Sequence, residues 1–376
     1  MIIIVIAGIA LILYIIQDRL YTKYWDDRLT AVIRFQKDPV FEGEEASLTE
    51  TVSNAKWLPL STLHVKFQIS TALRYRNETT ENVAVSDFCY KHDIYSLMPY
   101  TKVNRTHPIV CTKRGYYTIN EYDLASANIF LINHLVSRCD NETELYVFPK
   151  PIEPGEVEIP FQSMMGSIIT RSLTTEDPFE FRGIRDYQVY DPMKNVNWKA
   201  SAKSGDLMVN MFHHTAGQEV RILVNLEDES RYREFGLLEF SIRLAASLAL
   251  RFLFASVPVS ILTNGRDIIT HELHDTSAGS DQSHMRALYE MLARVDLDQE
   301  IVPAVTMIEK ELEKGENREL SYIMIGYCQR EDLGDAFEEL CKLHPGGLMI
   351  LPLTEKMPQR LFDHQHFTAE KWKINE

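Results

Sequence analysis

The chain has no C-x-x-C pair, and its five cysteines, Cys89, Cys111, Cys139, Cys328 and Cys341, are widely spaced and odd in number. That removes a zinc ribbon and a dithiol redox motif, and gives no support to a disulfide-built extracellular scaffold. The thiols read as small apolar groups. A G-x-S-x-G elbow, a P-loop and a G-x-G-x-x-G turn are also missing, so three familiar routes to nucleophilic, phosphate and dinucleotide chemistry are closed. His271-Glu-Leu-His274 lacks the H-E-x-x-H spacing that sets two imidazoles one helical turn apart. His213, His214, His364 and His366 stand on loop ground and read as surface residues rather than a ligand set. Basic charge is scarce: 39 Lys and Arg stand against 54 Asp and Glu, a formal charge of −15. Such a field repels a phosphate backbone, and no basic stripe offsets it, so nucleic acid is not expected as a partner. With no catalytic constellation in view, the chain is not expected to be an enzyme.

What is present begins at the N-terminus. Ile2 to Ile16 run without a charge. As a helix that run spans roughly 22 Å, which Leu20, Tyr21, Tyr24 and Trp25 extend with interface-seeking rings. Nothing basic precedes Ile2, and Asp18-Arg19-Leu20 follows instead of a small-residue cleavage site. The run therefore reads as a single-pass membrane anchor, not a cleaved signal. Arg19, Lys23 and Arg28 come just after it, and this Lys/Arg bias places the large C-terminal part in the cytoplasm.

At 376 residues, 45% hydrophobic and 25% charged, the rest of the chain has the mass for two cores. Short period-two runs occur at 30–35, 46–52 and 63–69, then at 106–111, 116–119 and 145–148, with Asp38-Pro39, Glu42-Gly43 and Ser53-Asn54 as punctuation. They predict an antiparallel β-sandwich of immunoglobulin type over 26–150. Only 124–136 reads as helix-like. Residues 151–217 read as a connector rich in charge and turn-formers. Beyond it, apolar runs at 219–226, 258–263, 320–326 and 348–353 alternate with helical patterns at 235–255, 284–295, 302–314 and 333–343. Asn264-Gly265 reads as a turn. Strands alternating with helices predict an α/β domain with a mainly parallel sheet over 218–355. In the helix at 235–255, Glu239, Arg243, Ser247 and Arg251 share one polar face. The tail, 356–376, shows little pattern, and residues 1–25 form the anchor.

The densest stretch is 180–203, in which Arg182, Arg185, Lys194, Lys199 and Lys203 alternate with Glu180, Asp186 and Asp191, beside Tyr187, Tyr190 and Trp198. Arginines among carboxylates and rings can pair and stack, bracing a loop-rich segment or presenting a rigid recognition surface. This stretch resembles the signature of the family catalogued as domain of unknown function 58, E-F-x-x-x-R-x-Y-x-x-G-D-P-x-R-x-I-D-W-K-A-S-A-R, followed by an L-x-V strand. Glu180, Phe181, Arg185, Tyr187, Asp191, Pro192, Trp198, Lys199, Ala200, Ser201 and Ala202 match, and Leu207 and Val209 fit the strand. Tyr190 stands where the pattern has Gly, Asn197 where it has Asp, and Lys203 where it has Arg. A positive φ before Asp191 is therefore not required, nor is a salt bridge between positions 197 and 203.

The resemblance implies a membrane segment, a β-rich domain and a C-terminal von Willebrand factor A-like domain. It also implies a bacterial partner of the MoxR-type AAA+ ATPase class, in assembly or maturation of envelope proteins. The recognition residues it points to are Glu180, Arg185, Tyr187, Asp191, Trp198, Lys199 and Ser201. A von Willebrand A domain often binds Mg²⁺ through D-x-S-x-S. Here the place reads Asn225-Leu-Glu-Asp-Glu-Ser230. Asn225, Glu227 and Ser230 offer oxygens in the wrong order, so no cofactor is expected. A divalent-metal-dependent adhesion protein and an envelope hydrolase are the alternatives.

Overall fold

The computed structural model describes residues 2–76, 84–85, 88–128, 134–174, 181–187, 196–212, 219–229, 233–317, 319–344, 346–355, 357 and 365–374. The uncharged leader forms helix α1 (Ile2–Tyr24), which is long and apolar enough to cross a membrane. Its two ends live in different surroundings. Ile3, Ile12 and Ile16 are exposed, whereas Tyr21 and the following Trp25 are buried in the core of the first unit. Tyr21 donates its hydroxyl to Pro59 O at 2.8 Å, and Asn128 Nδ2 donates to Asp18 Oδ1 at 3.1 Å.

The chain divides into two units, Met1–Lys150 and Pro151–Glu376. The first contains β1 (Leu29–Phe35), β2 (Val40–Phe41), β3 (Glu45–Asn54), β4 (Leu60–Ser70), β5 (Leu73–Tyr75), β6 (Ala84–Val85), β7 (Phe88–Leu97), β8 (Thr101–Cys111), β9 (Gly115–Ala127) and β10 (His134–Phe148). They build two sheets, β1-β3-β8-β5 and β2-β10-β9-β4-β7-β6, antiparallel except where β2 pairs with β10. The expected β-sandwich is there. Alternation decides which side chains face inward: β3 buries Ala46, Leu48, Glu50, Val52 and Asn54, and exposes less-buried residues between them. The helix-like stretch at 124–136 is instead the end of β9 and the start of β10, with 129–133 outside the described residues. Tyr122 and Leu124 are buried with Asp123 between them, a period of two that apolar neighbours obscure in the sequence.

The second unit opens with α2 (Pro154–Thr174), where the sequence reads as a connector. Pro154, Gly155 and Pro160 hide the helix, yet Val157, Phe161, Met164 and Ile168 recur at helical spacing and are buried. Next come β11 (Phe181–Asp186), α3 (Trp198–Ser204) and β12 (Met208–Phe212), then β13 (Glu219–Val224), α4 (Phe235–Phe254), β14 (Val259–Asp267), β15 (Leu273–Asp275), α5 (Gln282–Arg294) and β16 (Val295–Asp296). The unit continues with α6 (Ala304–Leu312), β17 (Leu320–Ile325), α7 (Glu331–Leu343), β18 (Gly347–Leu353) and β19 (Phe367–Lys373).

The main sheet runs β15-β14-β13-β17-β18-β19. Its neighbours from β14 through β19 are parallel, while β15 and β16 meet β14 antiparallel. The unit is thus an α/β fold with a mainly parallel sheet, and its central strands are buried on both faces as such sheets demand. Two expectations change. Part of the tail is the edge strand β19, and Asn264-Gly265 lies inside β14, where both residues are buried.

The polar face of α4 is covered by α2 and the turn before it. Ser247 Oγ accepts from Ile152 N at 2.9 Å, Arg251 Nε reaches Glu158 at 3.1 Å, and the Arg251 guanidinium lies 3.8 Å from the centre of the Phe161 ring. The polar stripe is a docking surface for a helix. One more charge lies deep: buried Arg221 on β13 is 2.7 Å from Glu311 and 2.7 Å from Asp275, and Tyr322 donates to Glu311 at 3.1 Å.

Candidate functional site

The described residues of the signature stretch, 181–187 and 196–203, lie on the β11–β12 ribbon and at the short helix α3. Tyr187 N donates to Leu207 O at 2.8 Å, and Val196 bridges to Val209 with both side chains buried. Asn197 caps α3, its side chain accepting from Ala200 N at 2.9 Å, and Gly205 ends the helix in the left-handed region at φ 87°. Asn and Asp cap helices about equally well, so an amide can stand where the pattern has an acid. Ser201 is buried and works as a brace: its hydroxyl donates to Asn197 O at 2.9 Å and accepts from Met208 N at 2.8 Å. Trp198 and Lys199 face solvent instead, Trp198 at 62% exposure, and Tyr187 is half-buried. Glu180 and Asp191 lie outside the described residues, and only the backbone of Arg185 is described. The stretch therefore divides between a brace at Asn197 and Ser201 and an exposed face at Trp198 and Lys199.

At the carboxyl end of β13 the oxygen-bearing side chains are taken by donors of the protein itself. Asn225 Oδ1 accepts from Glu227 N at 2.9 Å and from Asn264 Nδ2 at 3.0 Å. Glu227 accepts from Arg330 NH1 at 2.8 Å with one oxygen and from Ala304 N, the first residue of α6, at 3.1 Å with the other. Arg330 supplies the positive charge at this loop, and its other nitrogens grip Asp332. Cys328 donates to Glu229 at 3.0 Å, and burial followed by that carboxylate pushes its thiol up to about 12. A Cβ at Gly326 would stand 2.6 Å from Asn225 O, so only glycine lets the two strand ends approach this closely. Ser230 lies outside the described residues.

Two of the histidines, His366 among those expected at the surface, are tied to acids. His274 is buried with Nε2 3.0 Å from Asp267 Oδ2, and His366 is held by Glu338. His213, His214 and His364 lie outside the described residues, and His271 meets Gln299 at 3.1 Å.

A further cluster was not singled out from the sequence. Glu50 on β3, Asp93 on β7 and His107 on β8 bring ligand-type atoms within 4.8 Å of one another inside the sandwich, the one such group among the described residues. His107 Nε2 lies 3.1 Å from Glu50 and 3.3 Å from Asp93, so one imidazole spans the two sheets. Tyr95 donates to Glu50 at 2.7 Å, Arg105 to Asp93 at 2.7 Å, and Lys91 Nζ stands 3.5 Å from Asp93. Both carboxylates raise His107 to about 9. Burial raises Glu50, while His107 and Lys91 overcome burial and hold Asp93 below the usual carboxylate range. Two acids and a histidine would suit a cation, but Arg105, Lys91 and protonated His107 already provide the positive charge. The cluster reads as a proton-loaded clamp between sheets.

No family model matches the sequence, and no curated protein matches it. Among solved structures, a non-cellulosomal cohesin from Archaeoglobus fulgidus is 9% identical, with 31% of this chain and 91% of that one covered at a TM-score of 0.23. A CARDB domain from Pyrococcus furiosus, solved with di-metal ions, is 15% identical over 31% of this chain and 94% of its own, at a TM-score of 0.19. A type I cohesin from a cohesin–dockerin complex of Clostridium thermocellum is 12% identical over 31% and 99%, at a TM-score of 0.22.

Proposed function

We propose that this chain is a membrane-tethered protein-interaction module that breaks no bonds, of the type in which domain-of-unknown-function-58 proteins serve a MoxR-type AAA+ ATPase in envelope assembly. The observation that carries the reading is the division of α1. Large apolar side chains between Ile3 and Ile16, among them Ile6, Ile9, Leu11 and Leu13, are exposed, whereas Tyr21 and Trp25 are fixed in the sandwich core. A helix apolar all round and left uncovered belongs in lipid.

The five-strand parallel run with helices around it supports a von Willebrand factor A-like reading of the α/β unit. The exposed Trp198 and Lys199, held on a braced module, supply the recognition face: a rigid ring beside a cation is the kind of anchor that protein interfaces use. Arg19, Lys23 and Arg28, after the span, support a cytoplasmic position for the folded units.

The test is retention of a purified MoxR-type ATPase by the full chain in lipid nanodiscs. Nucleotide-dependent retention that Trp198→Ala abolishes is the expected result. Equal retention by empty nanodiscs removes the adaptor reading, and turnover of a substrate by the chain alone removes the non-enzymatic one.

A further inference from the structure

Strand register places one set of loops at the end of the sandwich that receives α1. Leu29 at the start of β1 pairs with Asn54 at the end of β3, Asn54 with Thr101 at the start of β8, and Leu60 at the start of β4 with Leu97 at the end of β7. The β3–β4 and β7–β8 loops therefore lie beside the turn that follows the helix, and Ala55 N donates to Arg28 O at 3.1 Å.

These two loops are locked together. The buried Asn54 donates to Leu58 O at 2.9 Å and to Met98 O at 3.1 Å, and Tyr100 N donates to Lys56 O at 3.2 Å. On this rigid base the chain leaves Trp57, Met98 and Tyr100 at 55%, 67% and 72% exposure. Tyr100 also holds a φ of 57°, a conformation bulky side chains seldom accept. Neighbouring large apolar groups held rigidly in water mark a contact surface.

The helix sets the height of that surface. From Ile16, the last residue of the uncharged run, to Tyr21 the rise is about 7.5 Å. The headgroup layer on each side of a bilayer is about 5 to 7 Å thick. With Ile16 at the hydrocarbon boundary, Pro59, bonded to Tyr21, lies at the outer edge of the headgroups, two residues from Trp57. Charge at this end nearly cancels, Arg19, Lys23, Arg28 and the buried Lys56 against Asp18, Asp26 and Asp27. The chemistry is that of an interfacial ring belt, not of an anionic headgroup pocket.

We infer that this end of the sandwich is a second membrane contact, with Trp57, Met98 and Tyr100 seated in the interfacial layer of the bilayer. The inference rests on α1 being a membrane anchor. It makes the sandwich a body fixed against the lipid surface, not one swinging on a tether.

The experiment compares the full chain with Trp57→Phe in phosphatidylcholine vesicles, plain or brominated near the headgroup end of the acyl chain. Flotation with the vesicles is read first. The expected result is that both proteins float, that bromine quenches a component of wild-type tryptophan emission, and that Trp57→Phe loses it. Adding Tyr100→Trp to that variant restores quenching. Phosphatidylglycerol in the vesicles leaves the quenching unchanged. If both proteins float and quenching is the same in each, the loop contact is overturned and the anchor stands. If Trp57 is shielded from aqueous quencher yet untouched by bromine, a protein covers it and the lipid contact is overturned. If neither protein floats, the anchor reading falls and takes this inference with it.

Discussion

Glu227 and Arg330 meet at 2.8 Å beyond the carboxyl end of β13, where a von Willebrand A-type domain would hold its cation. The guanidinium puts a fixed positive charge on the acid that an ion would need. Mg²⁺ added to the full chain is therefore expected to leave its melting temperature unchanged, and titration calorimetry is expected to show no heat beyond dilution. A saturable Mg²⁺ response in wild type would defeat this account of the loop. Because the pair is partly exposed, Arg330→Ala costs only about 0.2–1 kcal/mol of stability, read from urea unfolding.

The signature module separates its two roles within a few residues. Asn197→Ala removes the cap of α3 and is expected to cost about 1 kcal/mol, whereas Asn197→Asp keeps it. Ser201→Ala deprives two backbone groups, Asn197 O and Met208 N, of a buried hydroxyl partner and costs about 1–3 kcal/mol. Trp198→Ala, at an exposed position, stays within about 0.5 kcal/mol of wild type. Chemical denaturation of the four proteins tests the set. A Trp198→Ala loss matching that of Ser201→Ala would make the tryptophan part of the brace and leave the module without a recognition face.

How much of this was legible follows from where each pattern is read. The leader, the β-sandwich and the alternation of strands and helices rest on local periodicity, and they stand in the structure. Helix α2 was hidden because Pro154, Gly155 and Pro160 are turn-formers that a buried face overrules. The polar stripe of α4 was visible as one face, but its partner, α2, was not. The inter-sheet clamp was within reach of the same alternation rule: Leu48, Glu50 and Val52 share one face, as do Asp93, Tyr95 and Leu97, and Arg105, His107 and Ile109. Charged residues at inward positions of three strands are a signal of a buried network. Which of them meet depends on the pairing of the two sheets, and that is not local. For Asn225, the oxygens were visible in the sequence but their partners, Asn264 and the backbone of Glu227, were not.

Buried Arg221 and Glu311 make a sharper thermodynamic test. Glu311→Ala leaves a guanidinium in the core with Asp275 as its remaining acid and is expected to cost about 3–5 kcal/mol. Replacing both, as Arg221→Met with Glu311→Leu, removes the desolvated charges together and is expected to cost much less than the single change. The comparison is read from the unfolding midpoints of the full chain. A double variant as weak as Glu311→Ala would mean that Tyr322 and Lys314, which also bond Glu311, need that carboxylate for reasons beyond the arginine.

His107 supplies the pH prediction. Its imidazole, ordinarily near 6.5, is raised to about 9 by Asp93 and Glu50. A basic group raised in the folded state contributes stability that is fully present below its unfolded value and is lost as pH rises through its folded one. The sandwich is therefore expected to weaken between about pH 6.5 and 9 by on the order of 3 kcal/mol, the loss steepening as deprotonation leaves Glu50 and Asp93 facing each other. Asp93 is held low and stays charged across this window, while Glu50 is already penalised by burial, so neither reverses the sign. His107→Gln keeps a donor of similar reach without the proton. It is expected to be less stable than wild type at pH 6 and to show no slope where wild type declines. Urea unfolding followed by the fluorescence of Trp25, which is buried in the same core, reads both curves. Parallel curves for the two proteins would place the titration elsewhere and reduce His107 to a neutral hydrogen-bonding bridge.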